Sequence, residues 1–564
     1  MSFSIRKLAT LATMALAVAA CGDDDDGGGN GPSPLTTPTN LVAQATSSTA
    51  IQVDFSTVTG ATGYIIERAV GTGAFAVLSE PVANSFTDTG LLPSSTYRYR
   101  VAAKSTDASL NSPFSSEVAT TTLQPGRTVV DVTTDITAST TWVADNVYRL
   151  RGFRKVANGA VLTIQPGTRI EGDVGTTGSS LFVLRGAQIV ANGTVDFPIV
   201  FTSSQAAGTR QPGDWGGLII VGNGLINRAD PTNLEGTGTD PVTNPLINYA
   251  GGTDNASSSG TLRYVRVEFA GFGPAQDQEL NSFTFAAVGS GTTMEYLESL
   301  AGLDDAFEWF GGAVDGKYLV SYESGDDHFD MSEGYVGRLQ YLIAFQSKIL
   351  QPRPGAGNVS ADPQGIENDG CNGTGCAGGQ DSQPFTIPLV ANFTLVGFPT
   401  TGVTVPAGGG RGVVLRRGTG GYYVNGVVSR NLNGGLSLRD NATTGARVTA
   451  GFLDVRNHLV AESASLLDAS TNVTTFDTTG KGIRHQPATT AASLFTALPL
   501  VPTNAASLDW TPVAGSAATT GGLATFTGNI AAKAGTFVTP TTYVGAADPA
   551  GAKWWAGWTS YAAN

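Results

Sequence analysis

Cysteine, histidine and methionine are all scarce, with three, three and four copies among 564 residues. Closed zinc sites built from thiolates and imidazoles need more such ligands in close spacing, so soft-metal chemistry is a poor fit. Charge is also sparse at 14% of residues, and 32 Lys+Arg against 46 Asp+Glu leave a formal net charge of −14. Such a chain lacks the basic stripe that releases counterions from a phosphate backbone, so no nucleic-acid partner is expected. Two short signatures are missing as well. There is no Arg-Gly-Asp tripeptide and no Gly-x-Ser-x-Gly nucleophile elbow, which removes the usual sequence pointer to Ser-His-Asp hydrolysis. What is present is glycine, 73 residues, with 41% hydrophobic residues. Together they describe a folded, turn-rich chain long enough for two to four domains.

Residues 1–20 carry Arg6 and Lys7, then the apolar run Leu8 to Ala20, which is too short to span a bilayer and reads as a signal peptide. The ending Val18-Ala19-Ala20-Cys21 resembles the bacterial lipobox, which implies lipidation of Cys21 after cleavage. Residues 21–35, with Asp23 to Asp26 and Gly27 to Gly29, are too polar to bury and read as a hydrated tether. The expected address is therefore exported and lipid-anchored to the cell envelope, outer membrane or cell surface, with the membrane as one partner. Export leaves Cys371 and Cys376 in a Gly-rich loop in an oxidising compartment, where a small disulfide-closed loop is expected.

From 36 to 123, short alternating strands are separated by Gly, Pro, Ser and Asn. Pro38-Thr39-Asn40-Leu41, Tyr64-Ile65-Ile66-Glu67-Arg68 and Leu91 to Val101 resemble a fibronectin type III domain, with Phe55 where that family carries Trp. The resemblance implies a corner built by Leu91 and Tyr97. For function it implies no more than a spacer.

Residues 127–564 carry a repeat. Phe285, Phe307 and Phe329 stand 22 apart, and Tyr264, Tyr296, Tyr318 and Tyr341 head a second register with intervals of 32, 22 and 23. One turn of a parallel β-helix has that period, and the interval of 32 implies an insertion within a rung. Val161 to Ile170, Leu181 to Thr194, Pro198 to Thr202 and Trp215 to Ile220 resemble rungs of right-handed, pectin-lyase-like β-helices. The expected fold class is all-β: a fibronectin type III sandwich, then a right-handed parallel β-helix with a C-terminal cap. Ser507 to Pro512 reads as a terminal rung and Trp554-Trp555-Ala556-Gly557-Trp558 as a plug for the open end, which must be covered to protect unpaired backbone. As a whole, 127–564 is similar to a family of bacterial surface lipoproteins of unassigned role, through Asp214 to Leu218, Glu268 to Gly271, Asp304 to Gly312 and Gly325 to Asp330.

Charged Arg266, Glu268 and Glu298 share parity with the tyrosines, so Val265, Leu297, Leu319 and Leu342 should point inward and the tyrosines outward. The outer face of Tyr318, Val320, Tyr322, Tyr341, Ile343 and Phe345 is too apolar to stay wet. It is expected to be covered by the insertion between Ile226 and Gly260 or by the loop of Cys371 and Cys376. Alternatively Tyr264, Tyr296, Tyr318 and Tyr341 form a platform for polysaccharide or a surface protein.

Asp304, Asp305, Glu308, Asp326, Asp327, Asp330 and Glu333 are the densest carboxylates outside the tether. A 22-residue register sets Asp304 over Asp326, Asp305 over Asp327 and Glu308 over Asp330. Strands about 4.8 Å apart bring such pairs close enough to repel by roughly 3 to 4 kcal/mol at an effective dielectric near 20. Three outcomes follow: solvated turn aspartates, a Ca²⁺ site at Asp304, Asp305, Asp326, Asp327 and Asp330, or catalysis. The last rests on a resemblance of Leu303-Asp304-Asp305 and Gly325-Asp326-Asp327-His328 to polygalacturonase-type β-helix hydrolases, which implies Asp304 or Asp305, with the pair Asp326 and Asp327, as acid and base. That family's Gly-His-Gly and Arg-Ile-Lys segments have no counterpart here; Arg411, Arg416 and Arg417 are the cations downstream. The leading expectation is a surface-anchored binding or adhesion protein for polysaccharide, the alternative a polysaccharide hydrolase or lyase.

Overall fold

The computed structural model describes residues 33–122, 126–275 and 278–561. The signal segment and the lipobox Cys21 lie outside the described residues. Two compact units part between Pro125 and Gly126.

In the first unit, strands Val42–Ala45, Ala50–Asp54 and Ser85–Thr89 form one antiparallel sheet. Ala76–Ser79, Gly63–Val70, Thr96–Lys104 and Val118–Thr121 form the other. Alternation places Ile51, Val53, Ile66, Tyr99 and Val101 between them, all fully buried. Leu91 is buried beside Tyr97, whose hydroxyl accepts the Leu92 amide at 2.9 Å. That bond ties the loop to the strand that follows it, and the three-plus-four pairing is the fibronectin type III arrangement.

In the second unit the pairing is parallel from Thr128–Val132 to Arg484–Gln486, in sheets of seventeen and nine strands. Identical positions of successive rungs stack inside. Phe283 lies 4.9 Å from Phe307, which lies 5.5 Å from Phe329, and Ile366, Val413 and Leu436 continue the column. The register differs from the sequence reading at one point: Phe285 pairs with Trp309, while Phe307 pairs with Phe283. The first interval is thus 24 residues, and the spacing of 22 between Phe285 and Phe307 is a coincidence of two inward-facing phenylalanines on one strand.

Each of the long strands bends at a residue with positive φ. Tyr264 (49°), Tyr296 (55°), Tyr318 (63°) and Tyr341 (67°) occupy this corner in consecutive rungs, followed by Asn392 (53°), Asn425 (59°) and Asn457 (56°). Asn tolerates the left-handed region by its own hydrogen bonding; a tyrosine held there needs support from outside its backbone. Ring centroids 4.3, 4.4 and 5.1 Å apart supply it by stacking. The bend lets Val265, Leu297, Leu319 and Leu342 all enter the main core.

The apolar outer face is covered, but by neither expected loop. Beyond Gln486 the chain leaves the coil and runs back along it. Ala491 N bonds Glu462 at 2.7 Å, Gly545 N bonds Asn425 O at 2.8 Å, and Ser560 N bonds Glu298 at 2.8 Å. This strap seats Trp510, Trp555, Trp558 and Tyr561 on Val320, Tyr322, Ile343 and Phe345 as a second core. Asp509–Pro512 is therefore not a terminal rung: it pairs antiparallel with Phe495–Ala497. The tryptophans are not an end plug either, since Trp558 meets Tyr264 and Tyr296 edge-on, 5.6 and 6.1 Å away.

Candidate functional site

Register builds the centre of the site. Gly302 pairs with Ser324, and Glu308 with Asp330, so two rungs present their acids at matching positions. Gly325 makes the close approach feasible, because a Cβ there would stand 1.8 Å from Leu303 O. One rung later Asp330 pairs with Glu367, after a longer interval that contains the loop 349–363.

The acids then separate by role. Asp305 accepts the Asp327 amide at 2.9 Å, and Asp327 accepts the Gln364 amide at 2.5 Å. Both are buried staples between rungs, the turn-aspartate role. Asp304, Asp326 and Asp330 are only part-buried and, with Asp305, Glu308, Glu235, Glu279 and Asp362, line a cleft of about 810 Å³. Asp327 does not line it, so the aspartate pair implied for acid–base work contributes one carboxylate to the cleft, Asp326.

Carboxylate oxygens of Asp304, Asp305 and Asp326 lie within 4.8 Å of one another, as do those of Asp305, Glu308 and Asp330, and of Asp327, Asp330 and Glu367. Burial, and then the charge of neighbouring acids, pushes Asp304, Asp305, Glu308 and Asp330 well above the usual carboxylate range. Burial brings Asp326 up to about 7, against the pull of a Ser360 hydrogen bond. Glu235 stands exposed on the cleft wall; the protein packed around its carboxyl, and then the charge of Glu279, raise it as well. Asp326 Oδ1 and Asp330 Oδ1 are enclosed and, among the described residues, find no hydrogen-bond partner. These orphaned oxygens beside clustered carboxylates suit a hard divalent cation such as Ca²⁺, which takes six to eight oxygen ligands.

The arginines downstream are committed. Arg416 pairs with Glu367 and, at 2.9 Å, with Asp369; those carboxylates outweigh burial and hold it firmly protonated. Arg417 also pairs with Asp369, and Arg411 with Asp468 at 2.5 Å. A base for lyase chemistry is not offered by Arg416 in this state.

The four tyrosines are not brought to the cleft. Their inner faces are stacked on one another, and Trp558 and Trp554 lean on the column. A sugar ring stacks on a free aromatic face, and the inner faces of this column are already taken by neighbouring rings.

Cys371 and Cys376 are disulfide-bonded with Cα atoms 5.9 Å apart. Arg228 donates to Asn372 O at 2.8 Å and Thr374 O at 2.7 Å in their loop and pairs with Glu333, which also accepts the Tyr249 hydroxyl at 2.5 Å. The closed loop thereby clasps the insertion that carries Glu235 to the cleft wall. Sequence reasoning missed Glu235, Glu279, Asp362 and Glu367. Only Glu367 sits on a rung, and its interval of 37 from the Asp330 position concealed it.

Residues 134–499 match a family model described as a pectate-lyase-like β-helix domain. No curated protein matches. Solved structures similar to the N-terminal part include the chicken CNTN1 FN1-FN3 domains, 22% identical, covering 16% of this chain and 33% of that one, with a TM-score of 0.15. The FN5 domain of Drosophila Lar is 20% identical, covering 16% and 97%, with a TM-score of 0.14. The fibronectin type-III domain of human fibronectin type III domain containing protein 3 is 22% identical, covering 17% and 94%, with a TM-score of 0.15.

Proposed function

The chain belongs to the pectate-lyase-like β-helix family, and on that premise we propose that it binds an acidic polysaccharide through divalent cations, Ca²⁺ in the first place, held in the carboxylate cleft. The observation that carries the reading is the cleft itself: eight acids among the described residues line it, and two enclosed oxygens find no hydrogen-bond partner among those residues. Two carboxylates at such spacing repel by roughly 3 to 4 kcal/mol at an effective dielectric near 20, and a bridging cation reverses the sign of that interaction. Asp304, Asp305 and Asp326 would hold one ion, and Asp330 with Glu308 another. The outer coordination positions then accept carboxylates and hydroxyls of the glycan. Lipidation of Cys21 and a place at the cell surface belong to the same proposal; they rest on the leader residues, and they make the protein an adhesion or capture component of the envelope.

The test is binding of polygalacturonate and of neutral glycans, each with Ca²⁺ and with EGTA. Polygalacturonate is expected to bind only with Ca²⁺, and Asp326→Asn with Asp330→Asn to abolish it. Flat responses throughout would refute the reading.

A hydrolase is the second reading, favoured by Asp326, whose carboxyl near 7 can hold a proton for a leaving group at neutral pH. The spacing bears on which kind. Oxygens within 4.8 Å of each other leave no gap for the water that an inverting pair of carboxylates encloses, and are nearer the roughly 5–5.5 Å of a retaining pair. Release of reducing ends, lost in Asp326→Asn, would establish it.

A further inference from the structure

A second hollow, of about 490 Å³, lies at the next corner of the same rungs and falls within the roughly 300–1,000 Å³ range of small-molecule sites. Its floor is apolar, from Phe269, Leu300 and Leu350, all buried. Unlike the cleft, its rim is basic. Arg210 reaches in from the loop 204–212 with its side chain 16% exposed; it donates to Gln205 O at 3.2 Å, stands 3.9 Å from Glu268 and lies in the field of Glu171 and Asp214. Lys348 stands exposed on the opposite loop. The hollow is lined by two cations and one acid, Glu323, where the described lining of the cleft has eight acids and no cation, a local reversal of charge.

The polar groups at the back are fixed. Glu323 is held by the Ser347 amide at 2.9 Å, the Ser347 hydroxyl at 2.5 Å and the Tyr561 hydroxyl at 2.5 Å. Three bonds leave one carboxylate lone pair free to accept a further hydroxyl. Tyr561 comes from the strap, so the pocket is complete only with the strap docked.

We propose that this pocket binds the carboxylate-bearing sugar unit of an acidic saccharide without a metal, Arg210 and Lys348 taking the carboxylate, Glu323 a hydroxyl, and the apolar floor the C–H face of the ring. The ligand class rests on the polysaccharide reading, but the site is separate: the cleft needs a cation and this pocket does not. The loop 350–362 walls both, supplying Leu350 and Gln351 to one and Gly357 to Asp362 to the other.

The experiment is saturation-transfer NMR on the intact chain in EDTA, with galacturonate as probe and galactose as its uncharged control. Galacturonate is expected to bind and galactose not. Arg210→Gln and Lys348→Gln should each raise the dissociation constant roughly tenfold, the loss of one charge-assisted contact. Absence of galacturonate binding in EDTA, equal binding of galactose, or a constant unmoved by both rim variants overturns the proposal. Because EDTA silences the cleft, failure here and failure of Ca²⁺-dependent polygalacturonate binding are read separately.

Discussion

Two buried acids outside the cleft set how the strap responds to pH. Burial pushes Glu298 well above, and Glu323 above, the usual carboxylate value, although Ser560 N bonds the first and Ser347 and Tyr561 the second. An acid whose folded value is raised keeps protons that the unfolded chain has released, so its contribution is greatest in acid and is lost as pH rises. Strap docking should therefore weaken from about pH 4.5 upward, and Glu298→Gln should flatten the profile; tryptophan fluorescence during denaturant titration at several pH values reads it. Gly325 gives a steric counterpart. Gly325→Ala drives a Cβ into Leu303 O, so the rung of Asp326 must shift. The expected result is a lowered Tm together with lost Ca²⁺ binding, whereas a surface substitution should move neither.

At the scale of elements, the strap and the clasp are the parts that a spacing search could not reach. Neither repeats, and each acts on residues far away in sequence. Trp510 is fully buried and donates its indole N–H to Tyr322 Oη at 3.0 Å, nearly 190 positions back. Trp510→Ala should cost about 3–5 kcal/mol of strap stability, the usual range for a buried Trp→Ala, read as early melting in near-UV circular dichroism. The clasp predicts a redox effect. Reduction of Cys371–Cys376, or the double change to Ser, frees the loop that Arg228 grips and so loosens the wall carrying Glu235. Ca²⁺ affinity should fall while the far-UV spectrum stays the same; an unchanged affinity would show that Glu235 takes no part.

For the molecule as a whole, the coil was legible because its core repeats. The inward residues Leu297, Leu319 and Leu342, and the tyrosines beside them, obey one period because each rung solves the same packing problem. The sandwich was legible for a similar reason, since Leu91 and Tyr97 carry a local hydrogen bond between neighbours in sequence. Part of the acid cluster came with the register: Asp304 over Asp326 and Glu308 over Asp330 follow from rung spacing. The split between stapling and cleft-lining acids did not, because it depends on which carboxylate meets the Asp327 and Gln364 amides. Both reach of the cleft and charge reversal in the second hollow depend on loops inserted between rungs, whose positions no period encodes. The claim beneath all of this is that the cleft acids act together on a cation. Calorimetric titration of metal-free protein with Ca²⁺ tests it most directly. Saturable binding that disappears when Asp326 and Asp330 are both changed to Asn is expected; no heat of binding, or an isotherm identical in that variant, would contradict it.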